Sequence, residues 1–244
     1  YTRFNMSVLD NQNNKNYQNG YLIYNKDFIF KGKFLSKDPY KIAEICFNTS
    51  MTGYQEILTD PSYKSQFINF TFPLIGIVGC NEEDFESWKV QASGMISNEI
   101  ISLSSNWRSK DNFSKWLLDQ NSCAFFDIDT RTLTKVIREY GPKNVMICSE
   151  EFYDKNGLDE ILSLINKSPT LEQNDVIKEF TKELNLSKVE KYKNQLSIGF
   201  LNFGAKDNIK NNFKLRNCDL YEYDMNFNAD EILNLKLDGL FLSN

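Results

Sequence analysis

The segment from Leu196 to Leu242 carries the pattern that most restricts the fold of this chain. Its apolar runs and predicted helices are, in order, Leu196 to Phe203, a helix at 205–215 after Gly204, Leu220 to Tyr223, a helix near 231–235 capped by Asn228, and Gly239 to Leu242. Short strands that alternate with helices predict a β-α-β-α-β unit of parallel strands joined by crossover helices. Three strands are fewer than a doubly wound sheet usually contains, so we expect the sheet to continue beyond Asn244.

The chain before residue 150 has short apolar runs with frequent breakers, which predicts a β-rich first domain. Tyr21 to Tyr24 and Phe28 to Phe30 flank a three-residue turn signal. A helix is indicated most clearly at Thr130 to Tyr140, where apolar residues recur every three or four positions. Asp129 or Thr130 is the expected N-cap of this helix.

These patterns predict an α/β chain with two domains. Residues 1–150 form the β-rich domain, and residues 196–244 begin the parallel sheet. Residues 151–195 are charged and form a connecting region, with surface helices predicted at Leu158 to Ile165 and at Val176 to Leu184.

Composition disfavours several classes of function. The chain has 244 residues, no histidine and a formal net charge of −5. An acidic chain lacks the basic face that nucleic-acid binding requires, and no apolar run reaches the roughly 18 residues of a membrane span. Without histidine the chain holds no Ser–His or Cys–His catalytic pair and no histidine metal ligand. The five cysteines are widely spaced and odd in number, which predicts reduced thiols in a cytosol-like compartment.

The most distinctive motif is the block from Phe47 to Tyr63, FNTSMTGYQEILTDPSY, in which Asp60-Pro61-Ser62 is a turn signal. Further segments belong to the same pattern: Phe72 to Gly76, Asp84 to Ser87, Gln91 to Gly94, Ser105 to Arg108, Asp127 to Arg138, Phe203 to Lys206 and Asp238 to Asn244. In the order and spacing of these segments, from about Phe28 to its end, the chain resembles the small subunit of glutamine-hydrolysing carbamoyl phosphate synthase.

The resemblance implies a fold, an activity and a partner. The fold is a small-subunit domain of the β/β/α type, followed by the first part of the parallel sheet of a class I glutamine amidotransferase. The activity is hydrolysis of glutamine, with ammonia delivered to a large subunit that makes carbamoyl phosphate from bicarbonate and ATP for arginine and pyrimidine biosynthesis. The resemblance implies a cytoplasmic protein. It implies no cofactor in this chain, because ATP and Mg²⁺ are used by the large subunit.

Members of the family hydrolyse glutamine with a Cys nucleophile and a His base. The resemblance places both beyond Asn244, so it implies a truncated chain with no catalytic residue of its own. It implies one glutamine-binding residue, the serine of the Asp-Pro-Ser-Tyr segment, which is Ser62. The structural alternative is that the block from Phe47 to Tyr63 only shapes a loop.

Four positions depart from the family pattern: Ala43, Asp127, Asn202 and Asp207. These departures suggest a divergent copy and leave two alternatives open. Besides a glutamine-hydrolysing subunit, the chain could be a non-catalytic truncated copy that only docks on the synthetase, or the glutaminase region of a multifunctional pyrimidine-pathway fusion. Asp127 and Asp129 are also candidates for acid–base chemistry or Mg²⁺ binding, but a helix cap at Asp129 or Thr130, with Arg131 and Arg138 in ion pairs, is the preferred interpretation.

Overall fold

The computed structural model describes residues 17–101, 104–183 and 196–243, so part of the predicted connecting region, 184–195, lies outside the described residues. The strands are β1 Tyr17–Ile23, β2 Ile29–Leu35, β3 Tyr40–Asn48, β4 Gln66–Phe70, β5 Leu74–Ile75, β6 Gly94–Ile96, β7 Glu99–Ile100, β8 Cys123–Phe126, β9 Asn144–Ser149, β10 Leu196–Leu201, β11 Cys218–Tyr223 and β12 Gly239–Leu242. The α-helices are α1 Tyr54–Thr59, α2 Phe113–Asp119, α3 Thr130–Tyr140, α4 Glu150–Lys167, α5 Val176–Glu183, α6 Asp207–Leu215 and α7 Ala229–Asn234, with a 3₁₀ turn at Pro61–Tyr63.

Within the described residues, seven strands close into a barrel in the order β1-β2-β8-β6-β4-β3-β9. Strand β1 pairs antiparallel with β2 and β9, whereas β4 pairs parallel with β3 and β6. The turn between β1 and β2 is held by Asn25, whose side-chain oxygen accepts the N–H of Asp27 at 2.9 Å and of Phe28 at 2.8 Å. This side-chain turn is the reason that asparagine marks the position, and the predicted hairpin is confirmed.

Alternate residues of the barrel strands form two different cores, because successive side chains of a strand point to opposite faces. Phe67 of β4 packs with Phe34 in a cluster to which α3 adds Leu133. The next residue of β4, Ile68, packs in a second cluster with Leu58 of α1 and with side chains of α2. A strand such as β4 is therefore buried on both faces.

Helix α4 packs against the barrel. Its residues Ile161 and Ile165 are buried in a third cluster with Ile23 and Met146 of β1 and β9. The helix is interrupted at Gly157, where φ is +72°, a backbone conformation that glycine adopts at little cost. This part of the predicted connecting region thus contributes to a core, although its sequence is highly charged.

The last 48 described residues form a three-stranded parallel sheet in the order β11-β10-β12. Helix α6 covers one face, where Phe213 packs against Phe200 of β10 and Phe241 of β12, with ring centroids 6.1 and 5.2 Å apart. Asn228 caps α7 by accepting the N–H of Asp230 at 3.0 Å. The predicted β-α-β-α-β order is confirmed, including this cap.

The fold is α/β with a strand-rich first part, as predicted. We call residues 17–183 the barrel region and residues 196–243 the sheet region. In the described ranges, no helix combines the length and the apolar character needed to cross a bilayer.

Candidate functional site

Ser62 lies in a short, rigid turn that precedes β4. Pro61 begins the 3₁₀ turn, and Asp60 caps it by accepting the backbone N–H of Ser62 at 2.9 Å. Aspartate at the cap and proline at the first helical position are the preferred residues for such a start. Asp60 and Pro61 are buried, whereas Ser62 is exposed. The turn therefore fixes the backbone of Ser62 and leaves its hydroxyl group at the surface.

The second carboxylate oxygen of Asp60 connects this turn to the sheet region. It lies 2.7 Å from the ammonium nitrogen of Lys206, in the segment that links β10 to α6. The hydrogen bond to Asp60 raises the pKa of Lys206, and burial of the ammonium group opposes this in part. Because Asp60 also holds the N–H of Ser62, one carboxylate couples the Ser62 turn to the end of β10.

Asn202 organises the chain where β10 ends. Its side-chain oxygen accepts the N–H of Gly204 at 3.0 Å and of Ala205 at 2.9 Å. Its amide nitrogen donates to a carboxylate oxygen of Glu222, on β11, at 2.6 Å. Asn202 is buried, and both the oxygen and the nitrogen of its side-chain amide have hydrogen-bond partners. An aspartate here has no N–H with which to bind Glu222, and its charge would repel that carboxylate.

Gly204 is another position at which the two regions come close together. Its φ is +125°, in the range that favours glycine. A Cβ atom at this position would lie 3.6 Å from the Cβ of Pro61 and 3.9 Å from the ring of Phe180. Space for a methyl group therefore exists, and the backbone conformation is what requires glycine.

The Ser62 turn is thus placed at the carboxyl ends of parallel strands. Strand β10 is central, with β11 on one side and β12 on the other, so the strand order reverses between β10 and β12. Beyond these two strands, the N–H of Phe203 donates to the hydroxyl of Ser243 at 2.8 Å. Open parallel sheets bind ligands at such a reversal, outside the carboxyl ends of the strands. Residues 60–62 and 202–206 form this candidate site.

A second contact between the regions lies at the start of α6. The carbonyl oxygen of Glu86 accepts the N–H of Asp207 at 2.8 Å, and its carboxylate lies 3.4 Å from the N–H of Asn208. Lys206, the N-cap residue of α6, makes no side-chain cap of its own. Burial raises the pKa of Glu86. A carboxylate of the barrel region therefore supplies the cap of a helix in the sheet region.

Comparison with known proteins decides the family. Residues 22–147, just over half of the chain, match the model of the carbamoyl-phosphate synthase small chain, CPSase domain. The chain belongs to this family. It is 37% identical over 239 residues to the carbamoyl phosphate synthase small chain of Vibrio parahaemolyticus, covering 91% of this chain and 62% of that protein. The small chains of Clostridium acetobutylicum (37% over 227 residues, 91% and 61% coverage) and Buchnera aphidicola (36% over 237 residues, 91% and 59% coverage) are also similar.

This chain spans about three fifths of the length of the small chains that it matches. The shared length runs through both the barrel region and most of the sheet region, since 91% of the chain is covered. The candidate site, which joins the two regions, is therefore formed within the part of the chain that is similar to these small chains.

Two of the departures from the carbamoyl phosphate synthase small-chain pattern have a physical account. Asp127 stands where the pattern has glycine, and its φ is +66°, which glycine adopts more readily than other residues. Aspartate is among the few other residues that tolerate this conformation. Asn202 stands where the pattern has aspartate, and its amide satisfies Glu222. Nothing in the structure explains Ala43, a buried residue of β3, as a departure.

The paired-carboxylate hypothesis for Asp127 and Asp129 is not favoured by the structure. Asp129 caps α3, with one oxygen accepting the N–H of Thr132 at 3.0 Å and the other its hydroxyl at 2.6 Å. These bonds lower the pKa of Asp129. Among the residues with described positions, no group of three or more Asp, Glu, Cys or His side chains is arranged to hold a metal ion. Of the two predicted caps, Asp129 and Thr130, the structure has Asp129.

The cysteines of the barrel region are poorly suited to nucleophilic attack. Burial raises the pKa of Cys46, Cys123 and Cys148 to about 12 and that of Cys80 to about 11. The thiolate is the nucleophilic form, so these thiols are protonated at neutral pH. Cys218, in the sheet region, is buried at the start of β11.

Sequence reasoning singled out Ser62 but missed the residues that position it. Asp60, Glu86 and Lys206 each lie in a segment that carries the family pattern, yet their roles depend on contacts across more than 100 residues. A local signal existed only for Asp60, since aspartate before Pro-Ser is a strong turn cap.

Proposed function

We propose that this chain is the N-terminal part of the glutamine-hydrolysing chain of a carbamoyl phosphate synthase. In the complete protein, hydrolysis of glutamine releases ammonia, which the large chain combines with bicarbonate and ATP to form carbamoyl phosphate. The barrel region is then the β/β/α small-subunit domain, and the sheet region is the opening of a class I glutamine amidotransferase sheet. The cytoplasmic location, the pathways and the domain limits 1–150, 151–195 and 196–244 stay predictions.

The observation that carries this proposal is the position of Ser62. The turn that holds it packs through Pro61 against Gly204, beside the carboxyl ends of β10 and β12. A ligand bound at that edge of the sheet meets the Ser62 hydroxyl, which the described residues leave without a hydrogen-bond partner and exposed. A hydroxyl group can donate to the carboxylate of glutamine or accept from its ammonium group.

The chemistry of hydrolysis is proposed to come from residues outside this sequence. Attack on the glutamine amide needs a thiolate and a general base of suitable pKa. This sequence has no histidine, and four of its cysteines are held protonated by burial. The role proposed for residues 60–62 and 202–206 is therefore binding and orientation of the substrate.

The test is an assay of the complete small chain together with the large chain from the same genome. Carbamoyl phosphate formation is measured with glutamine and, separately, with ammonium chloride as the nitrogen source. Glutamine-dependent synthesis is the expected result. Synthesis from ammonia with none from glutamine would refute the proposal and favour the alternative of a non-catalytic docking module.

A further inference from the structure

A small network of charged side chains adjoins the candidate site. The ammonium nitrogen of Lys210, on α6, lies 2.9 Å from a carboxylate oxygen of Asp207 and 3.5 Å from one of Glu222, on β11. The same oxygen of Glu222 accepts a side-chain N–H of Asn202 at 2.6 Å. Lys210 and Glu222 lie outside the candidate site, but they are joined to it through Asn202.

The buried charge of Glu222 is compensated inside the protein. The side chain of Glu222 is 8% exposed and that of Lys210 is 21% exposed. A carboxylate in so poorly solvated a place needs a cation and hydrogen-bond donors. Burial lowers the pKa of Lys210, but its hydrogen bond to Asp207 and the charge of Glu222 outweigh this effect and raise the pKa. Lys210 is therefore charged at neutral pH and supplies the cation that Glu222 needs.

Glu222 determines which way the Asn202 amide is turned. A carboxylate only accepts hydrogen bonds, so it selects the nitrogen end of the amide. The oxygen end is then directed at the backbone, where it accepts the N–H of Gly204 at 3.0 Å and of Ala205 at 2.9 Å. With the amide turned over, N–H groups would face N–H groups, and the two backbone donors would lose their acceptor. The orientation imposed by Glu222 therefore holds the chain at Gly204, which lies against the Ser62 turn.

Two departures from the family pattern meet in this network. Asn202 stands where the pattern has aspartate, and Asp207 stands where it has a basic residue. An aspartate beside Glu222 would place two carboxylates in contact, and a basic residue in place of Asp207 would remove an acceptor from the Lys210 ammonium group. Each departure therefore suits the charge of its neighbour in the network.

We infer that Glu222 and Lys210 are positioning residues for the proposed glutamine site, because they orient the Asn202 amide that holds the end of β10. The inference rests on the proposed function, which supplies glutamine as the ligand at this edge of the sheet. In this arrangement neither Glu222 nor Lys210 needs to touch the substrate. Their effect reaches it through the backbone at Gly204 and the turn that carries Ser62.

The test exchanges the two interacting groups in the complete small chain, assayed together with the large chain. Asn202→Asp places a carboxylate against Glu222 and should raise the KM for glutamine about tenfold. Addition of Glu222→Gln restores a donor and an acceptor in reversed order, since the new amide can donate to the new carboxylate. The double variant should therefore bring the KM back to within about threefold of the wild-type value. Synthesis from ammonia should be unchanged in both variants. Asn211→Asp, at an exposed position on α6, is the control for an added charge and should leave the KM for glutamine unchanged.

Urea unfolding of the same variants separates positioning from a role in stability alone. A purely structural network would lower the unfolding midpoint of Asn202→Asp and leave the KM for glutamine unchanged. Lys210→Met is a milder second variant for the case in which Asn202→Asp does not fold, and it should raise the KM about threefold. An unchanged KM in these variants, or a double variant no better than Asn202→Asp, would overturn the inference alone. Absence of glutamine-dependent synthesis by the unaltered chains would refute the proposed function as well.

Discussion

Asp60 and Lys206, 146 positions apart in the sequence, form an ion pair of 2.7 Å that joins the Ser62 turn to the end of strand β10. The Asp60 side chain is 5% exposed and that of Lys206 is 44% exposed. The pair is therefore buried on the side of the carboxylate and accessible on the side of the ammonium group. Loss of Lys206 would leave a buried charge without its partner, which is the costly direction in which to break an ion pair.

Replacement of Lys206 by methionine should lower the free energy of unfolding of the complete protein by about 1–2 kcal/mol. This is less than the effect at a fully buried pair, because solvent screens the exposed ammonium group. Urea unfolding measures the change. Lys110→Met removes a pair with Glu82 in which both side chains are exposed, and it should have little effect. Equal losses in the two variants would contradict this interpretation of the Asp60–Lys206 pair.

The Asp60–Lys206 pair also predicts that stability depends on pH in the alkaline range. The pKa of Lys206 is raised in the folded state, mainly by its hydrogen bond to Asp60. Its stabilising contribution is therefore fully present below the unfolded-state pKa of about 10.4 and is lost as pH rises through the folded-state pKa. The difference in unfolding free energy between the wild type and Lys206→Met should thus be constant near neutral pH and shrink above about pH 10. A difference that persists undiminished at higher pH would argue against the ion pair as its source.

Ser62→Ala should impair the use of glutamine without disturbing the turn. The turn depends on the backbone N–H of Ser62, which alanine retains. Loss of one hydrogen bond to substrate predicts a rise in the KM for glutamine of about three- to tenfold. Synthesis from ammonia should be unchanged. Ser50→Ala, an exposed serine in the same motif, is the control. An unchanged KM for glutamine in Ser62→Ala would remove Ser62 from the proposed site.

Gly204→Ala should lower both the free energy of unfolding and the affinity for glutamine. The positive φ of Gly204 predicts a cost of about 1–3 kcal/mol for any other residue, and relief of this strain displaces the contact with Pro61. Gly141 offers a control because its φ is +86° and no atom lies within 4 Å of a Cβ placed there. Gly141→Ala should lower stability to a similar extent but leave the KM for glutamine unchanged. If both variants affect KM equally, the effect is global and not specific to the site.

Four cysteines of the barrel region should resist alkylation in the folded protein. With a pKa of about 12, as at Cys123, the thiolate fraction at pH 8 is about one in ten thousand. Mass spectrometry after brief treatment of the complete protein with iodoacetamide should find Cys46, Cys80, Cys123 and Cys148 unmodified. Unfolding in urea provides the control, since all four should then react. Rapid alkylation of one of these cysteines in the folded state would make it a candidate nucleophile again.

The parts of the fold that were predicted are those with strong local signals. Helix α3 has apolar residues on one face and a capping aspartate, and its observed bounds, Thr130–Tyr140, are those predicted. The β-α-β-α-β unit of the sheet region was predicted because glycine, asparagine or aspartate stands between each strand and the helix next to it. Ser62 was singled out only through its resemblance to a family motif, since an exposed serine in a turn carries no local signal of binding.

The parts that were not predicted depend on tertiary contacts. Strands β8 and β9 were missed because they are short and buried on both faces, so they show no alternation of polar and apolar residues. Closure of the barrel depends on β9, which pairs with both β1 and β3. The packing of α4 was missed because charged residues are frequent in its sequence and only Ile161 and Ile165 are buried.

The cap that Glu86 supplies to α6 bears on the order of events during synthesis. The N-terminal region leaves the ribosome first, and domains generally fold as units as the chain emerges. Helix α6 has nine residues, which is too short to be stable by itself in water, and it has no side-chain cap of its own. The finished barrel can therefore act as a template: it offers the Glu86 carboxylate to the first turn of α6 and the Asp60 carboxylate to Lys206 as each emerges. The sheet region would then assemble on a surface that already exists.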